Sequence, residues 1–577
     1  MLPTHPTPHR RALRTDAARR GGAIVALAGA LLLASCSSGG SNGSANDAGA
    51  GTTTPSTATS LPSDPAKRPC GQGKTLAKVE AKPLLPAAGK PGVSSFDLTS
   101  FDGTPIRLNW MPVATASKAK PAPTILMGPG WSETGDTSTT GSVLFASLSI
   151  PTMWDHGYNV VTWDPRGFGG SGGKASVNDA KKEGRDVQAI IDWLSEQPQA
   201  QQDRAGDPRV GMAGFSYGGG IQLTTAAIDC RVDAIVPGIA WRSLESSLYP
   251  NETVKAGWSN LLVSSAAKAN LDPHIESAHD EGNATGTISQ ANQDWFRSRG
   301  PGDLVGKVRV PTLIIQGTVD NLFTLHEGIE NYETLRKAGV PVSMIWFCGG
   351  HGACLTKGGD DPFVSDRSFA WLDRYLKGDA KVETGARFEA LDQDGKHWMA
   401  DDLPGATGQP VTAIGSGTLV LEPGGGSGGV PVKPGDVLGG VVAKFTPSKA
   451  SKALEVPIRI GQEALLLGAP KLSLTYSGTQ ADGTASGARA FAQIVDDQTG
   501  LVVGNQLTPI PLELDGEEHT LTLPMEVIVE HVQAGDSLTL QLVADTTTFR
   551  PGPLDGSKVA FTEVQVAIPV AKGVREG

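Results

Sequence analysis

From about residue 92 to 378, short apolar runs alternate with amphipathic stretches. Thr124–Met127, Tyr158–Trp163, Val210–Ala213, Val232–Ile239, Thr312–Ile315 and Val342–Phe347 read as strands. Helices fall between several of them. Asp179–Gln197 places Val187, Ile190, Ile191 and Leu194 at helical spacing, and Leu325–Ala338 and Val364–Leu376 read similarly. Strands separated by helices predict a mostly parallel sheet covered on both faces, an α/β architecture. Phe96–Trp110, with a turn at 101–103, reads as a leading antiparallel hairpin.

Residues 241–305 break this rhythm. They are rich in Ser, Asn, Ala and Trp, with helical stretches and no clear strand, and they lie between two strands of the sheet, so they read as an inserted helical cap. From about residue 410 the period changes to two. KLSLTY, FAQIVD, LTPIPLEL, HTLTLPM, SLTLQLVAD and VAFTEVQVAI alternate between Gly and Asp turns, which predicts an all-β sandwich.

The amino terminus follows another logic. Five arginines from Arg10 to Arg20 precede the apolar run AIVALAGALLLA at 23–34, which is signal-like and short for a membrane span. The run ends in Leu33-Ala34-Ser35-Cys36, which looks like a bacterial lipobox, with Cys36 as the lipidated first residue after cleavage. Arg10-Arg11 matches a twin-Arg export signal weakly. Residues 37–66 are Ser-, Gly- and Thr-rich and cannot bury enough apolar surface to fold, so they read as a tether. The expectation is a protein in the cell envelope, outside the cytoplasm, anchored to a bacterial membrane by lipid. The expected division is signal peptide 1–36, tether 37–66, α/β domain 67–378 with its cap at 241–305, and a β domain with a leading linker over 379–577.

Composition adds constraints. The chain has 577 residues, 49 Lys plus Arg, 60 Asp plus Glu and a net charge of −11. With no basic run in the body, nucleic acid is not an expected partner. Besides Cys36 there are four cysteines, an even set suited to an oxidising compartment. Cys348 and Cys354 flank a short Gly-rich loop and form the easiest pair to close, which leaves Cys70–Cys230 by elimination. No HExxH and no Cys-x-x-Cys appears, so neither metal nor cofactor is expected.

The chain contains 73 Gly, and Gly-x-Ser-x-Gly occurs four times, around Ser41, Ser171, Ser216 and Ser427. Only Ser216 has a strand before it and a helix pattern after it, the setting of a nucleophile elbow. A serine nucleophile needs a base, and the base needs an orienting acid. In this chain order the acid is Asp320, after the strand TLII, and the base is His351, after the strand SMIWF. Both follow carboxyl ends of strands, where open parallel sheets meet ligands. Asp303 is a weaker acid candidate because it precedes its strand, and His326 and His397 are weaker bases. The oxyanion hole takes the amide of Tyr217 and a second donor from Gly128-Pro129-Gly130-Trp131. Pro129 has no N–H, which leaves Gly130 or Trp131. In the next loop, Asp164 and Arg166 read as structural.

Three ordered stretches resemble the family of X-prolyl dipeptidyl aminopeptidases and cocaine esterase. The first is TWDPRGFGGSGG (162–173) with EGRDVQAIIDWLSEQP (183–198) and RVGMAGFSYGGG (209–220). The second is PTLIIQGTVDNLF with the CGGHG loop and WLDRYLKG (371–378). The third is LGAPKLSLTY (467–476), FAQIVDDQTGLVVGNQLTPIPLELDG (491–516) and SLTLQLVADT (537–546). The resemblance implies an α/β-hydrolase domain, a helical cap and a C-terminal jelly roll that closes over the site. It places Ser216, Asp320 and His351 at the triad positions. Several family members use a Tyr side chain as an oxyanion donor after the early strand, where GPGW stands here.

The expected activity is a serine hydrolase acting on a small-molecule ester or peptide through an acyl-enzyme, with esterase or acyl hydrolase preferred. The alternative, an X-Pro dipeptidyl-peptidase, needs carboxylates to hold a substrate amino group, and Glu133, Glu245 and Glu252 are available. A further alternative is a non-catalytic envelope lipoprotein that binds peptides or glycans.

Overall fold

The structure is a computed structural model that describes residues 67–68, 70, 79–84, 92–141, 148–356, 361–430, 439–481, 483 and 487–577. The signal segment, Cys36, Ser41 and the tether lie outside the described residues. Among the described residues no helix is long and apolar enough to cross a membrane.

Among the described residues one twelve-stranded sheet organises the α/β body. Its central strands run in the order Asn159–Trp163, Thr124–Met127, Val210–Phe215, Val232–Gly238, Thr312–Gly317, Val342–Phe347 and Phe388–Leu391, and all these neighbours pair in parallel. The hairpin Ser94–Thr99 and Pro105–Met111 pairs antiparallel at one side. Two apolar clusters cover the two faces. One packs Val187, Ile190, Ile191 and Leu194 of the helix Glu183–Leu194 against Leu126, Val161 and Met212. The other packs Phe369, Trp371, Leu372 and Leu376 against Ile125, Ile315 and Ile345. Strand residues therefore point alternately to two buried faces, which is why these strands read as continuous apolar runs.

Two differences from the sequence reading have local causes. The helix expected from Asp179 begins at Glu183, because Val177 and Asn178 adopt left-handed φ of 56° and 57° and the Asp179 carbonyl is taken by Lys182 N and Gly184 N in a turn. A boundary at 378 also separates strands that belong to one sheet. Phe388–Leu391 and His397–Ala400 extend the twelve-stranded sheet, and the chain returns to it through Arg575–Glu576. These strands have two to four residues, too short for a period to show.

Between Gly238 and Thr312 the chain forms the helices Leu244–Leu248, Ala256–Ser265, Pro273–Thr285 and Gln290–Arg297, with no strand. Their apolar faces join Trp131, Tyr217, Trp241 and Phe323 in one cluster above the carboxyl edge of the sheet. From Val411 the chain builds two four-stranded antiparallel sheets. They enclose a separate core that includes Leu472, Leu474, Ile494, Leu540 and Val564, as in a β-sandwich.

Candidate active site

The strand Val210–Phe215 turns directly into the helix Tyr217–Ile228, and Ser216 occupies the turn at φ 58°, ψ −119°. A non-glycine residue in that region is strained by about 1–3 kcal/mol and persists only when its surroundings over-determine it. Here Ser216 N donates to Gly238 O at 2.9 Å, while its carbonyl accepts from Gly219 N and Gly220 N. Gly218 is required for packing, because a Cβ there would stand 2.1 Å from Gly128 O.

The other motif serines are occupied. Ser171 Oγ donates to Asp164 O at 2.6 Å and accepts from Arg107 N at 2.9 Å. Ser427 Oγ donates to Gln493 Oε1 at 2.6 Å in the β domain. Among the described residues Ser216 has no such structural bond, and it lines a cleft beneath the cap.

Asp320 and His351 come together from two neighbouring strand ends. His351 Nδ1 lies 2.7 Å from Asp320 Oδ2, and both side chains are fully buried. Asp320 also accepts from His351 N, Leu322 N and Phe323 N at 3.1, 3.1 and 2.8 Å. Donors alone surround this carboxylate, so the proton sits on His351 Nδ1 and Nε2 is left as the basic atom. Burial pushes the Asp320 carboxyl up, and the main-chain donors and the Lys255 ammonium oppose that shift. Burial, with Lys255 second, holds His351 well below the ordinary imidazole range, so it rests neutral. His351 Nε2 is buried and makes no hydrogen bond. Phe323 packs edge-on against the His351 ring at 5.6 Å and lines the same cleft as Ser216.

The loop after Thr124–Met127 separates the two remaining oxyanion candidates. Gly130 N donates to Glu133 Oε2 at 3.1 Å, and burial raises the Glu133 carboxyl to about 8. Gly130 is therefore turned beneath the loop, toward a cavity that excludes Ser216. Trp131 and Tyr217 line the cleft with Ser216, and their amides are taken by no described group. Trp131 is held by its indole, which donates to Leu262 O at 2.9 Å and packs edge-on against Tyr217. Asp164 accepts from Gly135 N and Gly170 N at 2.8 and 2.7 Å, and Arg166 pairs with Asp186 and Asp102, so both side chains hold loops.

The cleft between the elbow and the cap has about 840 Å³ of empty space, part of it open to solvent. Trp131, Trp241, Leu248, Leu262, Ile288, Phe296 and Phe323 give it an apolar wall. Among the described residues that line it, Glu245 is the one carboxylate, and the Arg297 guanidinium grips it through two bonds of 2.8 and 3.2 Å. Glu133 and Glu252 do not line it. Asp303 is exposed on the cap and pairs with Arg242, and His326 pairs with Glu330 on the following helix, while His397 pairs with Glu389. The disulfides Cys348–Cys354 and Cys70–Cys230 are both formed, with Cα–Cα distances of 5.5 and 5.3 Å. The first closes the loop that carries His351. Among the described residues no group of three or more His, Cys, Asp or Glu could hold a metal ion.

Two contacts with the Asp320 loop have no signal in the sequence. Lys255 and Gln506 both contact the Asp320 loop, from the cap and from the β domain. Each is an isolated residue whose relevance exists only through the fold.

Known proteins carry the same layout. The fold is shared with a CocE/NonD family hydrolase from Staphylococcus aureus, at a TM-score of 0.57 and 12% identity over 88% of this chain and 100% of that one. It is shared also with an α-amino acid ester hydrolase (TM-score 0.61, 14% identity, 85% and 98% of the two chains). An archaeal aminopeptidase from a marine-sediment Thaumarchaeota archaeon matches at a TM-score of 0.61 and 13% identity, over 91% and 99% of the two chains. In sequence, a polyketide transferase (grgF) from Penicillium sp is 28% identical over 146 residues, which are 25% of this chain. The match spans 43% of that relative's length. Residues 102–353, from the leading hairpin to the His351 loop, match the family model of X-Pro dipeptidyl-peptidase (S15 family), and this match together with the ester hydrolase and aminopeptidase neighbours supports a serine hydrolase enzyme.

Proposed function

We propose that this protein is an acyl hydrolase of the bacterial envelope that cleaves esters of neutral, apolar acyl groups through Ser216, His351 and Asp320. His351 Nε2 removes the Ser216 proton as Oγ attacks the carbonyl, then returns it to the leaving group. Asp320 holds the imidazole in the Nδ1–H tautomer and stabilises the imidazolium. On this reading the amides of Tyr217 and Trp131 receive the developing oxyanion, supported by their position in the lining of the cleft with Ser216 and by the positive end of the helix Tyr217–Ile228. Water then resolves the acyl-enzyme by the same proton path.

One observation carries the choice of substrate. The cleft at Ser216 is apolar, and its single carboxylate, Glu245, is neutralised by Arg297. A substrate ammonium would enter without a free counter-charge and would be desolvated at a cost. The second reading, an X-Pro dipeptidyl-peptidase, is favoured by the description of the matching family. Acyl nitrophenyl esters assayed beside Gly-Pro and Ala-Pro anilides separate the two. Turnover of esters with little turnover of anilides is expected, and the reverse would sink the ester reading. A fluorophosphonate probe tests the nucleophile and excludes a merely binding lipoprotein if it labels the wild type and spares Ser216→Ala.

Envelope anchoring is supported by the basic segment, the apolar run and Leu33-Ala34-Ser35-Cys36, and by two disulfides suited to an oxidising compartment. Fatty-acid labelling in a bacterial host, lost in Cys36→Ser, is the expected result. Labelling that survives in that variant would reject the lipid site.

A further inference from the structure

The loop that carries Asp320 is held from outside the hydrolase sheet. Lys255, at the start of the cap helix Ala256–Ser265, is 2% exposed, and its Nζ donates to the carbonyl of Asn321 at 3.0 Å. The same helix fixes the Asn321 side chain, because Trp258 Nε1 donates to its Oδ1 at 3.2 Å. From the β domain, Gln506 Nε2 donates to the Asp320 carbonyl at 2.9 Å. The Phe549 ring of that domain lies 5.4 Å from the Lys255 ammonium.

A lysine is seldom buried to this degree, since its ammonium loses hydration that hydrogen bonds must replace. Here the cation stands beside the one residue that follows the triad acid. Its charge reaches both members of the pair, favouring ionised Asp320 and disfavouring protonated His351. Among the described residues, the titratable groups that act on His351 are Asp320, from the neighbouring strand end, and Lys255, from the cap. To this region the β domain presents two neutral amides and two charged groups, the Glu526 carboxylate, which accepts from Thr324 Oγ1 at 2.8 Å, and the Arg489 guanidinium, which donates to Thr253 Oγ1 at 3.0 Å. Asn505 Nδ2 donates to Ala353 O at 3.0 Å, and Gln506 bonds Asp320 as above.

Resting on the reading of Ser216, His351 and Asp320 as the triad, we propose that Lys255 is a positioning residue for the reaction. Its ammonium fixes the main chain next to Asp320 through the Asn321 carbonyl, and its charge adds to burial in disfavouring protonated His351 while it favours ionised Asp320. The sign follows from the charge. Removing the cation makes protonation of His351 and of Asp320 easier. Both changes move the acid limb of kcat/KM toward higher pH.

The test is the pH profile of kcat/KM on a neutral nitrophenyl ester for wild type, Lys255→Gln, Lys255→Met and Lys255→Arg, with active sites counted by fluorophosphonate labelling. Gln keeps a donor for the Asn321 carbonyl and loses the charge, whereas Met loses both. Both neutral variants should shift the acid limb upward, with the alkaline plateau lowered more in Met than in Gln. Lys255→Arg should leave the limb in place. An unmoved limb in a labelled Lys255→Gln overturns the proposal, as does an Arg variant that shifts it as far as Gln. A wild type that the probe does not label would instead overturn the triad reading, so the two failures are distinguishable.

Discussion

Gly218→Ala probes how closely the elbow and the oxyanion loop must pack. A Cβ at residue 218 would lie 2.1 Å from Gly128 O, 2.8 Å from Gly128 C and 3.1 Å from Pro129 O. Since Cβ contacts essentially never fall below 3.0 Å, the helix start and the loop must separate by about 0.9 Å. The atoms met are main chain and cannot rotate aside. The displaced loop carries Trp131, whose amide is the second oxyanion donor in the proposed mechanism. A misplacement of about 1 Å costs roughly 10²-fold in rate, equivalent to about 2.7 kcal/mol in the barrier. Overpacking of this kind lowers stability by about 1–3 kcal/mol, which thermal unfolding reads separately from the rate. Steady-state kinetics on a nitrophenyl ester, with thermal unfolding beside it, should show kcat reduced about a hundredfold and KM little changed. A folded Gly218→Ala enzyme with wild-type kcat would refute the reasoning.

Asp320→Asn should keep the fold and lower kcat by about 10⁴-fold, because the amide stabilises the wrong His351 tautomer, and a modest loss would remove Asp320 from the triad. Arg297→Gln leaves Glu245 unneutralised at the cleft, so kcat/KM for an α-amino ester relative to its neutral counterpart should rise about fivefold, the worth of about 1 kcal/mol for a partly exposed pair. An unchanged ratio would show that Glu245 does not govern charge selection. The disulfides should separate stability from chemistry. Replacing Cys70 and Cys230 by Ser opens a crosslink with a separation of 160 residues, a loss of about 5 kcal/mol by chain entropy, with kcat retained in the folded fraction. Replacing Cys348 and Cys354 opens one with a separation of 6, a loss of about 2 kcal/mol, yet kcat should fall because the His351 loop is released. Equal kcat in both pairs would deny the short disulfide a positioning role.

The α/β class was legible because strands buried on both faces must be apolar throughout, and because the helices between them repeat at 3.6 residues. The sandwich was legible for the converse reason, since a strand with one face in solvent alternates. The short strands Phe388–Leu391 and His397–Ala400 were not legible as parts of the hydrolase sheet, and neither was the return of Arg575–Glu576, because pairing partners are not encoded in runs of two to four residues.

At the site, local chemistry and tertiary packing divide the information in the same way. By itself the sequence determined the elbow at Ser216, since a strand–turn–helix junction needs small residues around a strained serine, and it placed Asp320 and His351 at strand ends in order. It could not rank Gly130 against Trp131, because that depends on where the Glu133 carboxylate sits beneath the loop. It could not say whether Glu245 is available to a substrate, because Arg297 is 52 residues away along the chain and meets it only in the folded cap. Nor could it connect Lys255 and Gln506 with Asp320, from which they are far in sequence and adjacent only in space. Residue types and spacing are set by local backbone geometry and by burial, which the chain records directly. Charge neutralisation, donor direction and pocket polarity arise where distant segments meet, and only the tertiary structure decides them.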